Sequence, residues 1–516
     1  MKKFFSRLIR NKTVYYVTAL IIILYCQYLS AFYFINGDVG FNTDLARDFL
    51  LLENIVDSNK IPLIGARTGG IGGLFHGPLW LYINLPAYII GKGNPLVVGW
   101  FWLFLSFLLS SVVYFYSSKI FDYKIGLLSA VAVAAVSITN IRSLFNPFGA
   151  VFVSFIYFYY MYLYLTKNRK IYLLMTFLLL GILIQFQIAF GGPVLILTLI
   201  FVLIKIIRRK EFKHLFVIPV ILIPLSTYLL FEIRHDFLQT RSVWAYFSSH
   251  VKSTELLNVN PVLNRLDGII NSLTITPYPH RLLSILLIIT MGLIFYKLIA
   301  RKIKRYEQVY ILFFCLFIGY WIITFLFKGV IWSYYYWPFI PIVAVIFCSG
   351  FNIFNKKVFL LIYVFLIVNA IYIGQLTNKI HQSYIGNDAG SWKFNYRMAQ
   401  IIFSQKDKEF GFYILSPDEF GYSPSYAINY LAKMNPNVKV YPYSKKAITY
   451  LLISLPGGEN GSTNGTYWKD KRVRINSQPV NNWKMGNGFI IEKYQLSDKE
   501  IAVSSDPNLI NSIFFR

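Results

Sequence analysis

An acidic–basic–acidic cluster stands directly after the first long apolar segment of this 516-residue chain. Asp44, Arg47 and Asp48 are spaced i, i+3 and i+4, so a helix would place them on one face. Thr43 is of a residue type that caps helices, which predicts a helix from Asp44 to Asp57. A carboxylate beside a guanidinium can stay ionised and accept a proton from a hydroxyl group. The alternative is a capped, solvated helix start, which the spacing alone favours.

A glycine-rich segment follows, from Arg67 to Gly91, and it contains His76. Its glycines would let the backbone approach a ligand or another part of the chain closely. No P-loop or dinucleotide-binding pattern accompanies them, because the segment has no Gly-Lys-Ser/Thr sequence and no strand–turn–helix context. An ordinary loop with turns is the alternative. After Pro78, a second apolar helix is predicted to lie along the membrane surface.

Further polar residues near the ends of apolar segments are candidates for binding a substrate: Arg234 and His235, Tyr335, and Gln187 with its neighbour Gln185. The guanidinium fork of an arginine suits a phosphate group. Tyrosine and arginine at the membrane surface are, however, commonly interfacial anchors. A glutamine within an apolar segment needs a hydrogen-bond partner or a cavity.

The elements that must position these residues are membrane-spanning helices. The chain is 56% hydrophobic and 14% charged, with a mean hydropathy of +0.52, whereas soluble domains carry about 25% charged residues. The apolar residues come in blocks of roughly 17–25, the length at which a helix crosses a bilayer. We predict a mainly α, polytopic membrane protein with about eleven spans, at residues 14–35, 95–118, 125–140, 149–166, 170–189, 193–208, 214–232, 281–300, 308–327, 333–351 and 358–375.

Lysine and arginine are concentrated in every second loop between the predicted spans, for example in Lys205–Lys213 and Lys297–Arg305. This alternation places those loops and the N-terminus in the cytoplasm of a cell-membrane protein. Three large segments then face the exterior, at 36–94, 233–280 and 376–516. The net charge of +27 is explained by the loop bias, and no solvated basic domain with stacking aromatics indicates a nucleic-acid partner.

The tail, 376–516, has the composition of a soluble domain. Strands are predicted at 409–416, 448–455, 472–480 and 488–496, and a helix is predicted at 425–434. Strands that alternate with a helix predict a small extracytoplasmic α/β domain at the C-terminus.

The order of these features resembles the GT-C membrane glycosyltransferases, in particular the protein O-mannosyltransferase and aminoarabinose-transferase group. The resemblance lies in Asp44-Leu-Ala-Arg47-Asp48, Ile71–Leu79, Asn146-Pro147 and Phe231–His235. It covers most of residues 1–375 in layout, the predicted transmembrane domain. It implies a GT-C fold and an enzyme that transfers a sugar from a polyprenyl-phosphate-linked donor, outside the cytoplasm, to a glycan, lipid or protein acceptor.

The resemblance also implies roles for individual residues. Asp44 would be the catalytic base that takes the proton of an acceptor hydroxyl as the sugar is transferred with inversion. Arg47 would hold Asp44 ionised, and Asp48 completes the predicted catalytic set. Arg67, with His76 and Arg234, would stabilise charge on the departing phosphate, His76 only if it is protonated. His235, Gln187 and Tyr335 are further candidates for binding the substrate.

The chain departs from the aminoarabinose transferases at three positions, with Leu45 in place of a frequent acidic residue, His76 in place of a lysine and Gly77 in place of a proline. These departures leave the identity of the sugar open. No cofactor is implied, although some GT-C enzymes use a divalent ion, and two acids at i, i+4 are a weak signal for one.

Two other functions are compatible with the layout. One is a lipid-linked glycan transporter or flippase, and the other is a polysaccharide polymerase or ligase. A transporter would predict ionisable residues in the middle of spans and paired repeats with broken helices. The predicted spans are nearly free of Asp, Glu, Lys and Arg at their centres, and no repeat is evident.

Overall fold

The computed structural model describes residues 12–248, 260–273, 281–355, 389–418, 420–454 and 465–509, together with positions 364, 368, 374 and 375. Most of the eleventh predicted span, 358–375, lies outside the described residues, as do parts of the predicted outer loop 233–280.

Ten of the predicted spans coincide with helical segments of the structure. The helices of this part of the chain are α1 (Lys12–Ile35), α2 (Thr43–Ser58), α3 (Leu79–Ile90), α4 (Pro95–Ile120), α5 (Tyr123–Asn140), α6 (Pro147–Lys167), α7 (Lys170–Phe186), α8 (Ile188–Arg209), α9 (Ser226–Arg234), α10 (Leu238–Ser248), α11 (Pro261–Leu273), α12 (Arg281–Ile299), α13 (Glu307–Thr324) and α14 (Ser333–Asn352, which includes two short 3₁₀ turns).

Local capping explains where several of these helices begin. Pro95 occupies the first turn of α4, and the Asn94 side chain accepts a hydrogen bond from the amide of Leu96. Asp122 caps α5 in the same way, because its Oδ1 accepts from the amides of Lys124 and Ile125.

The chain is a multi-pass membrane protein. Among the described residues, six helices are long and apolar enough to cross a bilayer, or seven if one bent pair forms a single span. Helices α3, α5 and α7 and the end of α12 are apolar but shorter. The number of eleven spans and the side of the membrane on which each loop lies stay predictions.

The bent pair occupies the predicted span 214–232. A 3₁₀ helix, Phe212–Leu222, meets α9 at an angle of 66°. Pro224 lies at this break and Pro219 lies within the 3₁₀ helix before it, and each lacks the amide hydrogen that a continuous helix would use. The carbonyl of Pro224 accepts a hydrogen bond of 2.7 Å from Gln185 Nε2, which ties the break to the end of α7.

The C-terminal part is a small mixed-sheet domain, as predicted. Its five strands have the order β2-β1-β3-β5-β4, with β1 parallel to β2 and β3, and β5 antiparallel to β3 and β4. The elements are α15 (Trp392–Phe403), β1 (Glu409–Leu415), α16 (Tyr422–Met434), β2 (Lys439–Pro442), β3 (Ile448–Ile453), α17 (Gly465–Tyr467, continued as a π-helix over Trp468–Val473), β4 (Asn481–Lys484), β5 (Ile490–Gln495) and α18 (Asp498–Ala502).

The strand predicted at 472–480 is wrong. Val473 and Ile475 alternate with polar residues as in a strand, and both are buried. Arg474 between them has a φ of +63°, a left-handed conformation that interrupts a strand. The two apolar side chains therefore enter the core from a turn, and the strand begins later, at β4.

The C-terminal domain is joined to the segment that leads into α2. Phe41 N donates a hydrogen bond of 2.6 Å to Gly390 O, and Trp392 N donates one of 2.8 Å to Val39 O. A short antiparallel bridge links Gly40 with Ser391. These backbone contacts place the domain directly over the start of α2.

Candidate active site

Helix α2 carries the acidic–basic–acidic cluster, and it begins one residue earlier than predicted. Its N-cap is Asn42, whose Oδ1 accepts a hydrogen bond of 3.0 Å from Leu45 N, so the cap is not Thr43. Arg47 reaches both acids of the cluster. Its Nη1 lies 2.9 Å from Asp44 Oδ1, and its Nη2 lies 3.3 Å from Asp48 Oδ1.

The two carboxylates of the cluster lie in different surroundings. The Asp44 side chain is 41% exposed, and its Oδ2 accepts no hydrogen bond from any residue that the structure describes. Asp48 is buried, and burial raises its pKa to about 6 even though the adjacent Arg47 lowers it. Burial lowers the pKa of Arg47, but Asp48 and Asp44 together raise it further. Arg47 therefore stays charged between an inner and an outer carboxylate.

The glycine-rich segment forms a narrow, hairpin-like loop. His76 N donates a hydrogen bond of 2.8 Å to Ala66 O, and Gly65 N donates one of 2.7 Å to His76 O. Gly77 N then donates a hydrogen bond of 2.9 Å to the carbonyl of Gln185. A Cβ at Gly77 would overlap the Gln185 side chain, so glycine is required where this loop meets α7.

His76 is partly buried, and its Nδ1 is shielded from solvent without a hydrogen-bond partner among the described residues. Removal from water, and after it the nearby positive charge of Arg47, lowers the pKa of His76 to about 3. The imidazole is therefore neutral near pH 7. In this environment the condition for its expected role as a phosphate-binding cation is not met, and His76 is available as a neutral hydrogen-bonding group.

One cavity of about 810 Å³ brings together most of the predicted site residues. It is lined by Asp44, Arg47, Arg67, His76, Gln187 and Tyr335. The remaining wall is largely apolar and comes from α8, α10, α13 and the loop after α13. Ile196, Phe247 and Leu326 belong to this wall and are exposed at the molecular surface, so the cavity opens onto an apolar face.

No protein-family model matches the chain, and no curated protein matches it. The chain is similar to the crystal structure of ArnT from Cupriavidus metallidurans bound to undecaprenyl phosphate, with 13% sequence identity and a TM-score of 0.59. That similarity covers 96% of this chain and 100% of the ArnT chain. The apo state of the same ArnT gives 13% identity and a TM-score of 0.57, over 93% of this chain and 98% of the other. The chain has the GT-C fold.

Neither Arg234 nor His235 lines this cavity, so the structure does not bring these two predicted site residues together with Asp44 and His76. Arg234 ends α9 and is exposed, and the His235 ring stacks on Phe231 with centroids 4.0 Å apart. The acidic residue of this segment is engaged within the protein: Glu232 accepts hydrogen bonds from the amides of Gln239 and Thr240. 

The segment around α9 instead supports the glycine-rich loop. Gln239 Oε1 accepts a hydrogen bond of 3.0 Å from Phe75 N, and Tyr228 OH donates one of 3.1 Å to Phe75 O. Both bonds hold Phe75, the residue next to His76, in place. We therefore assign Tyr228 and Gln239 a structural role, in which they hold the glycine-rich loop that forms part of the cavity wall.

Gln187 and Tyr335 both line the cavity, Gln187 from the junction of α7 and α8 and Tyr335 from the start of α14. Gln187 stands between α7 and α8, where its Nε2 donates a hydrogen bond of 3.4 Å to Tyr334 O. Its Oε1 is buried and has no partner among the described residues, so it can accept a hydrogen bond from a bound ligand. Asp48, in contrast, is not part of the lining and acts on the cavity through Arg47.

Two lining residues that the C-terminal domain contributes, Phe420 and Tyr422, were not predicted from the sequence. No local pattern could have found them, because they are brought to α2 by a contact between distant parts of the chain. That contact is a hydrogen bond from Thr43 Oγ1 to Asp418 Oδ2.

Among the described residues, no three His, Cys, Asp or Glu side chains gather into a set that could hold a metal ion. Asp44 and Asp48 do not fit a divalent cation, because the guanidinium of Arg47 lies between their carboxylates.

Proposed function

We propose that this chain is a membrane glycosyltransferase that transfers a sugar from a polyprenyl-phosphate-linked donor to an acceptor hydroxyl. The observation that carries the proposal is that three features line one cavity. They are the partly exposed carboxylate of Asp44, the guanidinium of Arg67, which has no side-chain partner among the described residues, and an apolar wall that reaches the molecular surface. A lipid-linked sugar has three parts that match these features: a reacting sugar for Asp44, a phosphate for Arg67 and a hydrocarbon chain for the apolar wall.

Asp44 is proposed as the catalytic base. One of its oxygens is held by Arg47 at 2.9 Å, and the other has no partner in the described part of the chain. As the acceptor oxygen forms its bond to the anomeric carbon, its proton passes to Asp44 Oδ2, and the bond between that carbon and the phosphate oxygen breaks with its electron pair leaving on the phosphate. Attack from the face opposite the phosphate inverts the anomeric centre.

Arg67 is proposed to bind the phosphate. Two arginines line the cavity, and Arg47 is already engaged by two carboxylates. Arg67 lies in the hairpin-like loop, is exposed, and makes no hydrogen bond or ion pair with any described side chain. A guanidinium free in this way can take two phosphate oxygens in its planar fork and stabilise the charge that leaves with the phosphate.

The apolar wall is proposed to hold the first part of the hydrocarbon chain. Helix α8 contributes Ile188, Leu195 and Ile196, and the cavity opens beside exposed apolar side chains on the same helix. A lipid in the bilayer could therefore reach the cavity sideways without crossing water. The similar ArnT structure is one that is bound to undecaprenyl phosphate, which supports this assignment.

We further propose that the cavity lies on the extracytoplasmic side, where the positive-inside pattern places residues 36–94 and the C-terminal domain 376–516. The sugar is not specified by these residues.

The test is reconstitution of the purified protein in lipid nanodiscs with a panel of undecaprenyl-phosphate sugars. Membranes from a strain that lacks the gene would supply the acceptor. The proposal expects release of undecaprenyl phosphate from one donor, detected by mass spectrometry, with the sugar appearing on a membrane component. Release that is absent for every donor, or that does not depend on the protein, would contradict it.

A further inference from the structure

The C-terminal domain supplies an aromatic surface to the cavity. Phe420 and Tyr422, referred to below as the aromatic pair, both line it. Their rings are stacked, with centroids 5.1 Å apart and an interplanar angle of 15°. Tyr422 is buried at the start of α16, whereas Phe420 is 51% exposed. A large aromatic side chain that is half exposed at a cavity is free to contact a ligand.

The backbone that carries the aromatic pair is fixed in place. Asp418 Oδ1 accepts hydrogen bonds from Phe420 N at 3.2 Å and from Gly421 N at 3.1 Å. Gly421 has a φ of +58°, and a Cβ there would lie 2.7 Å from Ile414 Cγ2, so only glycine fits this turn. A side chain on such a preorganised turn contacts a ligand at little entropic cost.

The same turn is tied to the catalytic helix. The second oxygen of Asp418 accepts a hydrogen bond from Thr43 Oγ1, and Thr43 precedes Asp44. Tyr422 is close enough to Arg47 for that positive charge to act against the rise in pKa that burial gives the phenol. The aromatic pair therefore lies beside the Asp44–Arg47 end of the cavity, and the apolar wall for the lipid comes from other elements.

We propose that the aromatic pair binds a glycan acceptor and turns one of its hydroxyl groups toward Asp44. The C–H faces of a sugar ring carry a weak positive charge and pack on the electron-rich faces of aromatic rings. This inference rests on the proposed function, in which the acceptor must approach Asp44 from the side opposite the departing phosphate. The C-terminal domain then takes part in choosing the acceptor.

The test measures release of undecaprenyl phosphate in nanodiscs against increasing amounts of membranes from a strain that lacks the gene. Phe420→Ala is expected to raise the half-saturating amount of membranes about three- to tenfold, as expected for loss of one aromatic contact. Phe420→Trp keeps a stacking face and is expected to restore the value. Tyr467→Ala is the matched control, because Tyr467 is 50% exposed in the same domain and does not line the cavity.

Two further measurements identify the ligand. Periodate treatment of the membranes, which destroys sugar diols, is expected to remove the acceptor, whereas protease treatment is expected to leave it. An unchanged half-saturating amount in Phe420→Ala would overturn the inference, and so would a protease-sensitive acceptor. If Phe420→Ala raised only the KM for the donor, the aromatic pair would contact the donor's sugar, and the inference would also be overturned.

Failure of the proposed function would be distinct from these results. It would appear as a wild-type protein that releases no undecaprenyl phosphate, or as an Asp44→Asn variant that releases it at the wild-type rate. Melting temperatures and binding of undecaprenyl phosphate alone would show that the Phe420 variants are folded.

Discussion

Asp44 and Arg47 are one helical turn apart on α2, and a contact of 2.9 Å between Oδ1 and Nη1 joins their side chains. Arg47 is held in turn by the buried Asp48 behind it. Asp44 is thus fixed through one oxygen, while its other oxygen has no partner in the described residues. Under the proposed function, this arrangement would orient Asp44 as a base before any substrate is bound.

Replacing Asp44 with asparagine is expected to reduce kcat by about 10²–10⁴-fold, because the amide keeps the size of the side chain but cannot accept the proton as a carboxylate does. The measurement is release of undecaprenyl phosphate in nanodiscs. Asp236→Asn is the control, since Asp236 is exposed and does not line the cavity. Wild-type turnover in a folded Asp44→Asn protein would refute the assignment of the base.

Replacing Arg67 with alanine is expected to weaken binding of undecaprenyl phosphate about 10–100-fold, the effect of losing a charge-assisted hydrogen bond to the phosphate. Arg234→Ala provides a matched comparison, because Arg234 is also exposed but lies outside the cavity. The affinity of the Arg234→Ala variant for undecaprenyl phosphate is expected to stay within about twofold of wild type. Equal losses in the two variants, measured by native mass spectrometry or calorimetry, would show that the cavity does not contain the phosphate site.

Asp48 and His76 are expected to change stability with pH in opposite directions. The pKa of Asp48 is raised from 3.8 to about 6, so its contribution to stability falls as pH rises through that window. The pKa of His76 is lowered from 6.5 to about 3, so its contribution falls as pH decreases through its own window. Relative to wild type, Asp48→Asn should gain melting temperature from pH 4 to 6, and His76→Gln should gain it from pH 6.5 to 4.

The measurement is thermal unfolding in detergent across this pH range, with each variant expressed as a difference from wild type. The double variant Asp48→Asn/His76→Gln lacks both groups, so its difference from wild type should combine the two opposite trends. Differences that are constant with pH would mean that neither group has the environment described above.

Replacing Gly77 with alanine is expected to destabilise the protein by about 1–3 kcal/mol, the usual cost of forcing extra volume into a packed contact. The new methyl group would overlap Gln185, whose Nε2 is already bonded to Pro224 O and Thr227 Oγ1. Gly292→Ala is the control, because nothing lies within 4 Å of a Cβ at that position in α12. Equal melting temperatures for the two variants would argue against the tight contact between the loop and α7.

Local patterns predicted the part of the site that local structure determines. The spacing of Asp44, Arg47 and Asp48 was sufficient to predict their contacts. Side chains three or four positions apart on a helix are neighbours, regardless of what packs around that helix. The helix after Pro78 and most of the C-terminal strands were predicted for the same reason, since each shows its own periodicity. The cap residue was misjudged by one position, as both Asn42 and Thr43 are common cap types.

Long-range contacts account for what was missed. Arg234 was chosen by residue type, but the bend at 212–234 and the packing of Phe231 leave it outside the cavity. Phe420 and Tyr422 enter the cavity only because the C-terminal domain docks on α2, which no local pattern encodes. The protonation of His76 depends on enclosure and on Arg47, and both follow from the tertiary fold.

The backbone pairing of residues 39–41 with 390–392 has a consequence for biosynthesis. The buried Asp38 accepts a hydrogen bond from Lys393 N, a residue that the ribosome adds 355 positions later. The entry to α2 and the aromatic side of the cavity are therefore completed only after most of the polypeptide has been made. A nascent chain cannot assemble the full cavity, so under the proposed function unfinished copies in the membrane would not consume the lipid-linked sugar.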